Sequence, residues 1–300
     1  MPLLNTATLL TDAVDRGTGL AAVNLVNLES AEAITEAANR TGLPIVLQIS
    51  QNCVQYHGGR LRPLAAAAAA LAESSSANIA LHLDHAEDPI LAHEAIALGF
   101  GSVMYDGAAL PYDDNVRTTR EVIAHAHDRG VIVEAELGEI GGKDGAHAPG
   151  VRTDPGEAAS FVADTGVDAL AVAVGSSHAM TSRDAALDMG LIARLRSAVP
   201  VPLVLHGSSG VSDAGIRAAV RAGITKVNVA THLNGFFTRG VRDALSEDDA
   251  LVDMRKYLGP GREAMTAGTM HLLRVLSLAP TPSEPSSRDS GMMVRSAPAS

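Results

Sequence analysis

Residues 78–106 read NIALHLDHAEDPILAHEAIALGFGSVMYD. An apolar run of strand type (78–85) ends in His82-Leu83-Asp84-His85, and Asp88 followed by Pro89 is a helix-start signal. Residues 90–98 carry a helical pattern that Gly99 closes, and a second strand-type run follows at 102–106. The unit is strand, polar loop, helix, strand, with its polar residues gathered where the first strand ends.

The unit recurs. Strand-type runs lie at 21–27, 44–50, 78–85, 102–106, 131–137, 169–175, 201–206 and 226–231, rich in Val, Ile and Leu as strands covered on both faces should be. Helical patterns lie between them at 31–41, 61–73, 90–98, 115–129, 155–165, 187–197 and 212–222. Cap-like Asp88, Asn115, Asp154 and Ser212 open several of these, and Gly42, Gly99, Gly130, Gly166 and Gly223 close them. Eight β-then-α units in a row predict an α/β fold, a closed (β/α)8 TIM barrel, with additional C-terminal helices at 233–246 and 262–276. A doubly wound sheet is the alternative; polar residues at the C-terminal ends of nearly all eight strands favour the barrel mouth. The expected organisation is one domain over 1–278, then a disordered tail over 279–300, where Pro280, Pro282 and Pro285 interrupt a Ser-rich run.

Composition narrows the function. Hydrophobic residues make up 46% of the 300-residue chain and aromatic residues 3%, with no Trp, so Ala, Val, Leu and Ile must build the core. A net charge of −11 argues against a nucleic-acid surface or a basic membrane-binding face. Cys53 is the only cysteine, which rules out an internal disulfide and a thiolate metal cage. The first residues lack a basic stretch followed by an apolar core, and the Ala-rich run at 64–72 is too short to span a bilayer. A cytoplasmic protein is expected.

The chemistry sits at the strand ends. His85 ends the third strand, His178 follows the sixth in Gly175-Ser176-Ser177-His178, and His206 ends the seventh in Leu205-His206-Gly207. Three imidazoles at one rim, with a position left open for substrate, is the pattern of a catalytic zinc. His82 lies two residues before Asp84 and supports the same site. Asp84 reads as an orienter of an imidazole or as a general base. Asp106 and Glu136 end the neighbouring strands, and Glu134 shares a face with Glu136. Whether these inward carboxylates form an alternate metal site or accept structural hydrogen bonds stays open. Gly207-Ser208-Ser209-Gly210 after the seventh strand, and Asn228-Val229-Ala230-Thr231 ending the eighth, offer backbone N–H groups and hydroxyls to a phosphate.

These pieces, with Tyr105-Asp106-Gly107, Glu134-Ala135-Glu136-Leu137-Gly138 and Lys226-Val227-Asn228, resemble the class II fructose-bisphosphate aldolases, in the branch that includes tagatose-bisphosphate aldolases. The resemblance implies zinc on His85, His178 and His206, with Asp84 as the acid/base at the ketose C4 hydroxyl. It implies a second divalent position at Asp106 and Glu136, and a sodium or potassium ion beside the phosphate. Gly207, Ser208, Ser209, Asn228, Val229, Ala230 and Thr231 would hold that phosphate, Asn24 and Ser50 would line the substrate cleft, and Arg262 would meet a distal phosphate. The implied substrate is a phosphorylated ketose, fructose 1,6-bisphosphate first, and a homodimer or homotetramer is implied with it. Two departures stand out: Ala179 replaces the family's glycine after the second histidine, and the loop Gly141-Gly142-Lys143-Asp144-Gly145 lacks the family's glutamate, leaving Asp144 as its substitute. With metal chemistry no Schiff-base lysine is needed, and Lys226 is expected at the start of its strand, away from the mouth. The rival readings are a barrel metallohydrolase and a non-catalytic sugar-phosphate binder.

Overall fold

The structure, a computed structural model, describes residues 3–137, 152–176 and 182–279. Eight strands run parallel: β1 (Leu20–Asn24), β2 (Ile45–Ser50), β3 (Ile79–Ala86), β4 (Ser102–Tyr105), β5 (Ile132–Glu136), β6 (Ala169–Val172), β7 (Leu203–Leu205) and β8 (Ile224–Val229). They pair in chain order, and β8 pairs back onto β1 with Ala22 opposite Asn228. That closure excludes the doubly wound sheet. Eleven helices accompany them among the described residues: α1 (Thr6–Arg16), α2 (Leu28–Thr41), α3 (Gln51–Tyr56), α4 (Leu61–Ser74), α5 (Pro89–Ala97), α6 (Tyr112–His127), α7 (Pro155–Thr165), α8 (Met189–Ala198), α9 (Asp213–Ala222), α10 (Thr231–Glu247) and α11 (Met254–Leu276).

Strand alternation divides the apolar residues between two cores. Ala21, Val23, Ile45, Leu47, Leu81 and Leu83 face the helices, where Ala33, Ala37 and Ala38 of α2 and Ala68 of α4 are fully buried. With so few aromatics, alanine faces let the helices lie close to the barrel. Ala22, Val46 and Ala80 face inward and meet Leu9, Leu10 and Ala13 of α1, which closes the N-terminal end of the barrel. α1 falls where no helix is expected from the strand–helix repeat. Asn5 caps it by accepting from the Ala7 N–H, and Gly17 ends it in the left-handed region.

Other boundaries differ for identifiable reasons. Asn115 does not cap α6. It is buried in the first turn and donates from Nδ2 to the Glu136 carbonyl at 3.2 Å, tying α6 to the end of β5. α11 begins eight residues before position 262 and runs through Pro260. Gly240 of α10 and Gly261 of α11 permit that crossing: a Cβ on Gly240 would lie 2.7 Å from the Pro260 carbonyl oxygen, so tertiary packing overrides the local breakers. No helix among the described residues is long and apolar enough to cross a membrane. The expected tail, from position 280 onward, lies outside the described residues.

Leu9 is 1% exposed in the barrel floor, so Leu9→Ala should cost about 2–5 kcal/mol of stability. A urea titration checks this: the midpoint falls while the slope holds.

Candidate active site

β3 delivers two consecutive residues to one place. In a regular strand Asp84 and His85 would face opposite sides. Here the β3–β4 register shifts between Leu83 and Ala86, and His85 takes a φ of 49°, in the left-handed region. The bulge turns both side chains to the barrel mouth, a strained backbone held by its surroundings. His206 follows β7 directly, and Ser176 fixes its backbone by donating Oγ–H to the His206 carbonyl at 2.6 Å.

The two rings then face each other. His85 Nε2 and His206 Nδ1 are 2.9 Å apart, with the ring planes nearly perpendicular at 84°. The far nitrogen of each ring meets a carboxylate: His85 Nδ1 donates to Asp106 Oδ2 at 2.7 Å, and His206 Nε2 lies 2.9 Å from Glu134 Oε1. Ligand atoms of Asp84, His85 and His206 lie within 4.8 Å of one another, as do those of His85, Asp106 and Glu136. Facing lone pairs with carboxylates alongside form a donor set that suits a divalent ion such as zinc.

Asp84 is buried and held on both oxygens. Asn24 donates to Oδ2 at 2.7 Å and Asn228 to Oδ1 at 3.2 Å, while Gln48 donates to Asn24 Oδ1 at 2.7 Å. The buried Gln48 escaped the sequence reading. Its signal is a polar residue at inward parity in an otherwise apolar strand, two before Ser50. Asn52, in the first turn of α3, also escaped it.

The cavity, about 190 Å³, is lined by Asn24, Ser50, Asn52, Asp84, His85, His206, Gly207, Ser208, Ser209, Asn228, Ala230 and Thr231. Gly207 holds a φ of 64°, and Ser208 donates to the Asn228 carbonyl at 2.5 Å, which joins the turn after β7 to the end of β8. The Ser208 hydroxyl hydrogen is therefore engaged.

Two expectations are corrected, those for Arg262 and Lys226. Arg262 does not line the cavity: its guanidinium pairs with Glu32 of α2 on the outer wall. Val229 turns its side chain outward into the core between strands and helices. Lys226 is not at the edge of its strand but inside the barrel, 1% exposed, donating to Glu134 Oε2 at 2.6 Å. His82 lies beneath the site, its Nδ1 2.7 Å from Ser102 Oγ. Asp144, His178 and Ala179 lie outside the described residues.

Charge settles the protonation of the site. Burial opposes a charged His85, but Asp84, the Asp106 hydrogen bond and Glu136 outweigh it and push the imidazole up to about 10. Burial would raise Asp84, yet the charges of His85 and Lys226 and the Asn24 hydrogen bond hold it below the usual carboxylate range. Burial, then Lys226, pushes His82 well below the normal imidazole range, so its ring is neutral.

A closed barrel whose mouth holds facing imidazoles, buried carboxylates and a Gly-Ser turn defines a metal-dependent barrel enzyme acting on an anionic ligand. Comparison with known proteins narrows the class. The family model described as fructose-bisphosphate aldolase class-II matches residues 4–280. A fructose-bisphosphate aldolase of Staphylococcus aureus is 37% identical over 268 residues, covering 88% of this chain and 94% of its own length. One from Geobacillus stearothermophilus is 36% identical over 278 residues, covering 91% and 96%. The crystal structure of the YdjI aldolase of Escherichia coli superposes with a TM-score of 0.79 at 28% identity, covering 91% of this chain and 97% of that one. The chain belongs to the class II fructose-bisphosphate aldolase family, the metal-dependent aldolases. Family membership sets the hydrolase reading aside.

Because the folded protein raises His85 to about 10, the stability this proton confers is fully present below the ordinary imidazole value, 6.5, and is lost as pH rises toward 10. Chelator-treated protein should therefore melt at progressively lower temperature across that range. In His85→Asn, whose new residue tolerates the same backbone region, the decline between neutral pH and about 9 should be lost.

Proposed function

We propose that the chain catalyses the reversible, zinc-dependent aldol cleavage of fructose 1,6-bisphosphate to dihydroxyacetone phosphate and an aldehyde. The observation that carries this is the meeting of His85 Nε2 and His206 Nδ1 at 2.9 Å, beside an Asp84 anchored on both oxygens. His178, the third ligand by family resemblance, completes the proposed set. When bound, zinc supplies a Lewis acid for the negative charge that develops on the ketose oxygens as the C3–C4 bond breaks.

Asp84 is the acid/base. Its lowered pKa keeps it ionised, and the Asn24 and Asn228 amides hold it in one orientation to take the C4 hydroxyl proton. Asp144 delivers the proton to the carbon released from the broken bond. The turn Gly207 to Ser209, with Asn228, Ala230 and Thr231, binds the phosphate of the dihydroxyacetone phosphate half through N–H groups and the Thr231 hydroxyl, with Ala179 and a sodium or potassium ion alongside. Val229 contributes through its backbone alone. Asn24 and Ser50 line the cleft for the sugar carbons. Asp106 and Glu136, each within ligand reach of His85, hold the second divalent position. By the same resemblance the protein works as a homodimer or homotetramer, in the cytoplasm by its sequence; Tyr56, Ile90 and Val252 offer exposed apolar surface for contacts between copies.

One observation favours a second reading of the substrate. Among the described residues the cavity lining contains no Arg or Lys, and Arg262 is engaged elsewhere. A ketose carrying a single phosphate fits that lining as an alternative; tagatose 1,6-bisphosphate, the C4 epimer, is an alternative by family resemblance.

The test is a product assay of the zinc-loaded protein on a panel of ketose mono- and bisphosphates. Cleavage of fructose 1,6-bisphosphate well ahead of the others is the expected result, and preference for a monophosphate moves the assignment to the second reading. No cleavage of any ketose phosphate leaves a non-catalytic binder. Asp84→Ala should retain zinc while turnover falls by roughly 10²–10⁴. His206→Ala should lose both metal and activity, and retained cleavage in that variant would remove the mechanism.

A further inference from the structure

Below the proposed metal position lies a buried ionic layer that the aldol chemistry does not use. Glu134 of β5 is 3% exposed and Lys226 of β8 is 1% exposed, so neither reaches substrate. Both oxygens of Glu134 are committed: Oε1 lies 2.9 Å from His206 Nε2, and Oε2 accepts from Lys226 Nζ at 2.6 Å. Lys226 also donates to His82 Nε2 at 3.1 Å. The His82 Nδ1–H then donates to Ser102 Oγ at 2.7 Å, and Ser102 donates to Thr6 Oγ1, on the first residue of α1, at 2.8 Å. The chain of donors runs one way. It starts at Lys226 and ends, in one direction, on the cap turn of the helix that plugs the barrel.

In the other direction it ends on a metal ligand. A carboxylate at Nε2 accepts only, so the His206 proton belongs on Nε2 and the lone pair on Nδ1, the nitrogen facing His85. Asn228 Nδ2 lies 3.1 Å from the same Nε2 and gives one of its two hydrogens to Asp84, while Glu134, at 2.9 Å and an acceptor only, sets the proton on Nε2.

We propose that Glu134 and Lys226 are a positioning pair for the metal ligand His206: Glu134 fixes the tautomer and rotation of its ring, and Lys226, anchored through His82 to the barrel floor, fixes Glu134. This rests on the reading of His85 and His206 as metal ligands. It gives Glu134 a role separate from Glu136, whose ligand atoms group with those of Asp106 and His85.

The experiment has two arms. Nitrogen-15 NMR of histidine-labelled, metal-free protein reads the tautomer of the His206 ring directly. A proton on Nε2 is expected, and a bare Nε2 overturns the proposal. In the second arm, zinc affinity is measured by chelator competition for the unaltered chain, for the double variant Glu134→Gln/Lys226→Met, and for Leu9→Ala. The double variant removes both charges together and leaves neither stranded. It should melt cooperatively yet bind zinc about 10–100-fold more weakly. Leu9→Ala weakens the floor without touching the pair and should keep the unaltered affinity. Unchanged affinity in a folded double variant overturns the proposal, and so does an equal loss in Leu9→Ala, which would make the effect one of general stability. If the unaltered protein binds no zinc, the metal reading of His85 and His206 fails, and the NMR arm still decides what Glu134 does to the His206 ring.

Discussion

Two imidazole nitrogens meet at 2.9 Å among Asp84, Asp106, Glu134 and Glu136, and these buried carboxylates favour positive charge at the mouth. Without it the inward carboxylates repel one another in a buried space, where screening by water is weak. In the metal-free protein that charge falls to His85, whose imidazole, against the cost of burial, is pushed up to about 10 by Asp84, Asp106 and Glu136. A divalent ion satisfies the same demand with a larger charge and the same two nitrogens. The metal site is thus not added to a finished barrel. The strands place more acid in the mouth than the mouth can hold without a cation.

The interior below is graded in polarity. At the floor, Leu9, Leu10, Leu20 and Val46 pack without a polar atom to satisfy. Above them Glu134 and Lys226 bury opposite charges at 2.6 Å, with neutral His82 taking a further Lys226 hydrogen. Such a pair is weak evidence of stability, since burying both ions costs about what their attraction returns, but removing one partner alone would cost roughly 3–5 kcal/mol. A layer of that kind persists where its geometry is needed, and here its upper end touches His206.

The fold was legible because hydrophobic periodicity repeats: each strand-type run is followed by a helix-type run, and each of the eight runs overlaps an observed strand, with only Leu20, Ala86 and the first two residues of β8 falling outside. The strand ends also declared Asp84, His85, Asp106, Glu136 and His206, since polar residues closing apolar runs have few other reasons to be there. What stayed hidden depends on three dimensions. α1 carries the ordinary pattern of an amphipathic helix, and only the closed sheet reveals that its Leu9 and Leu10 fill a barrel end. Lys226 looked marginal because it sits near a strand start. Strand stagger in a tilted barrel instead sets it at the depth of Glu134, three strands away in chain order or five the other way through the β8–β1 closure. Arg262 carries the right charge for a phosphate, but its helix lies against α2, where Glu32 takes it.

The Asp84-His85 pair shows why periodicity fails at a functional site. A strand obeying strict alternation can offer either residue to the mouth, never both. Acid/base chemistry at a metal needs both on one side, and the chain obtains them by breaking its ladder between Leu83 and Ala86 and holding His85 in a backbone region that non-glycine residues seldom occupy. The bulge is held by bonds that themselves belong to the site: Asp106 accepts from His85, while Asn24 of β1 and Asn228 of β8 grip Asp84 across the barrel mouth. The residues proposed to perform the chemistry are therefore also those that sustain the distortion. Structure and reactivity here rest on one set of hydrogen bonds.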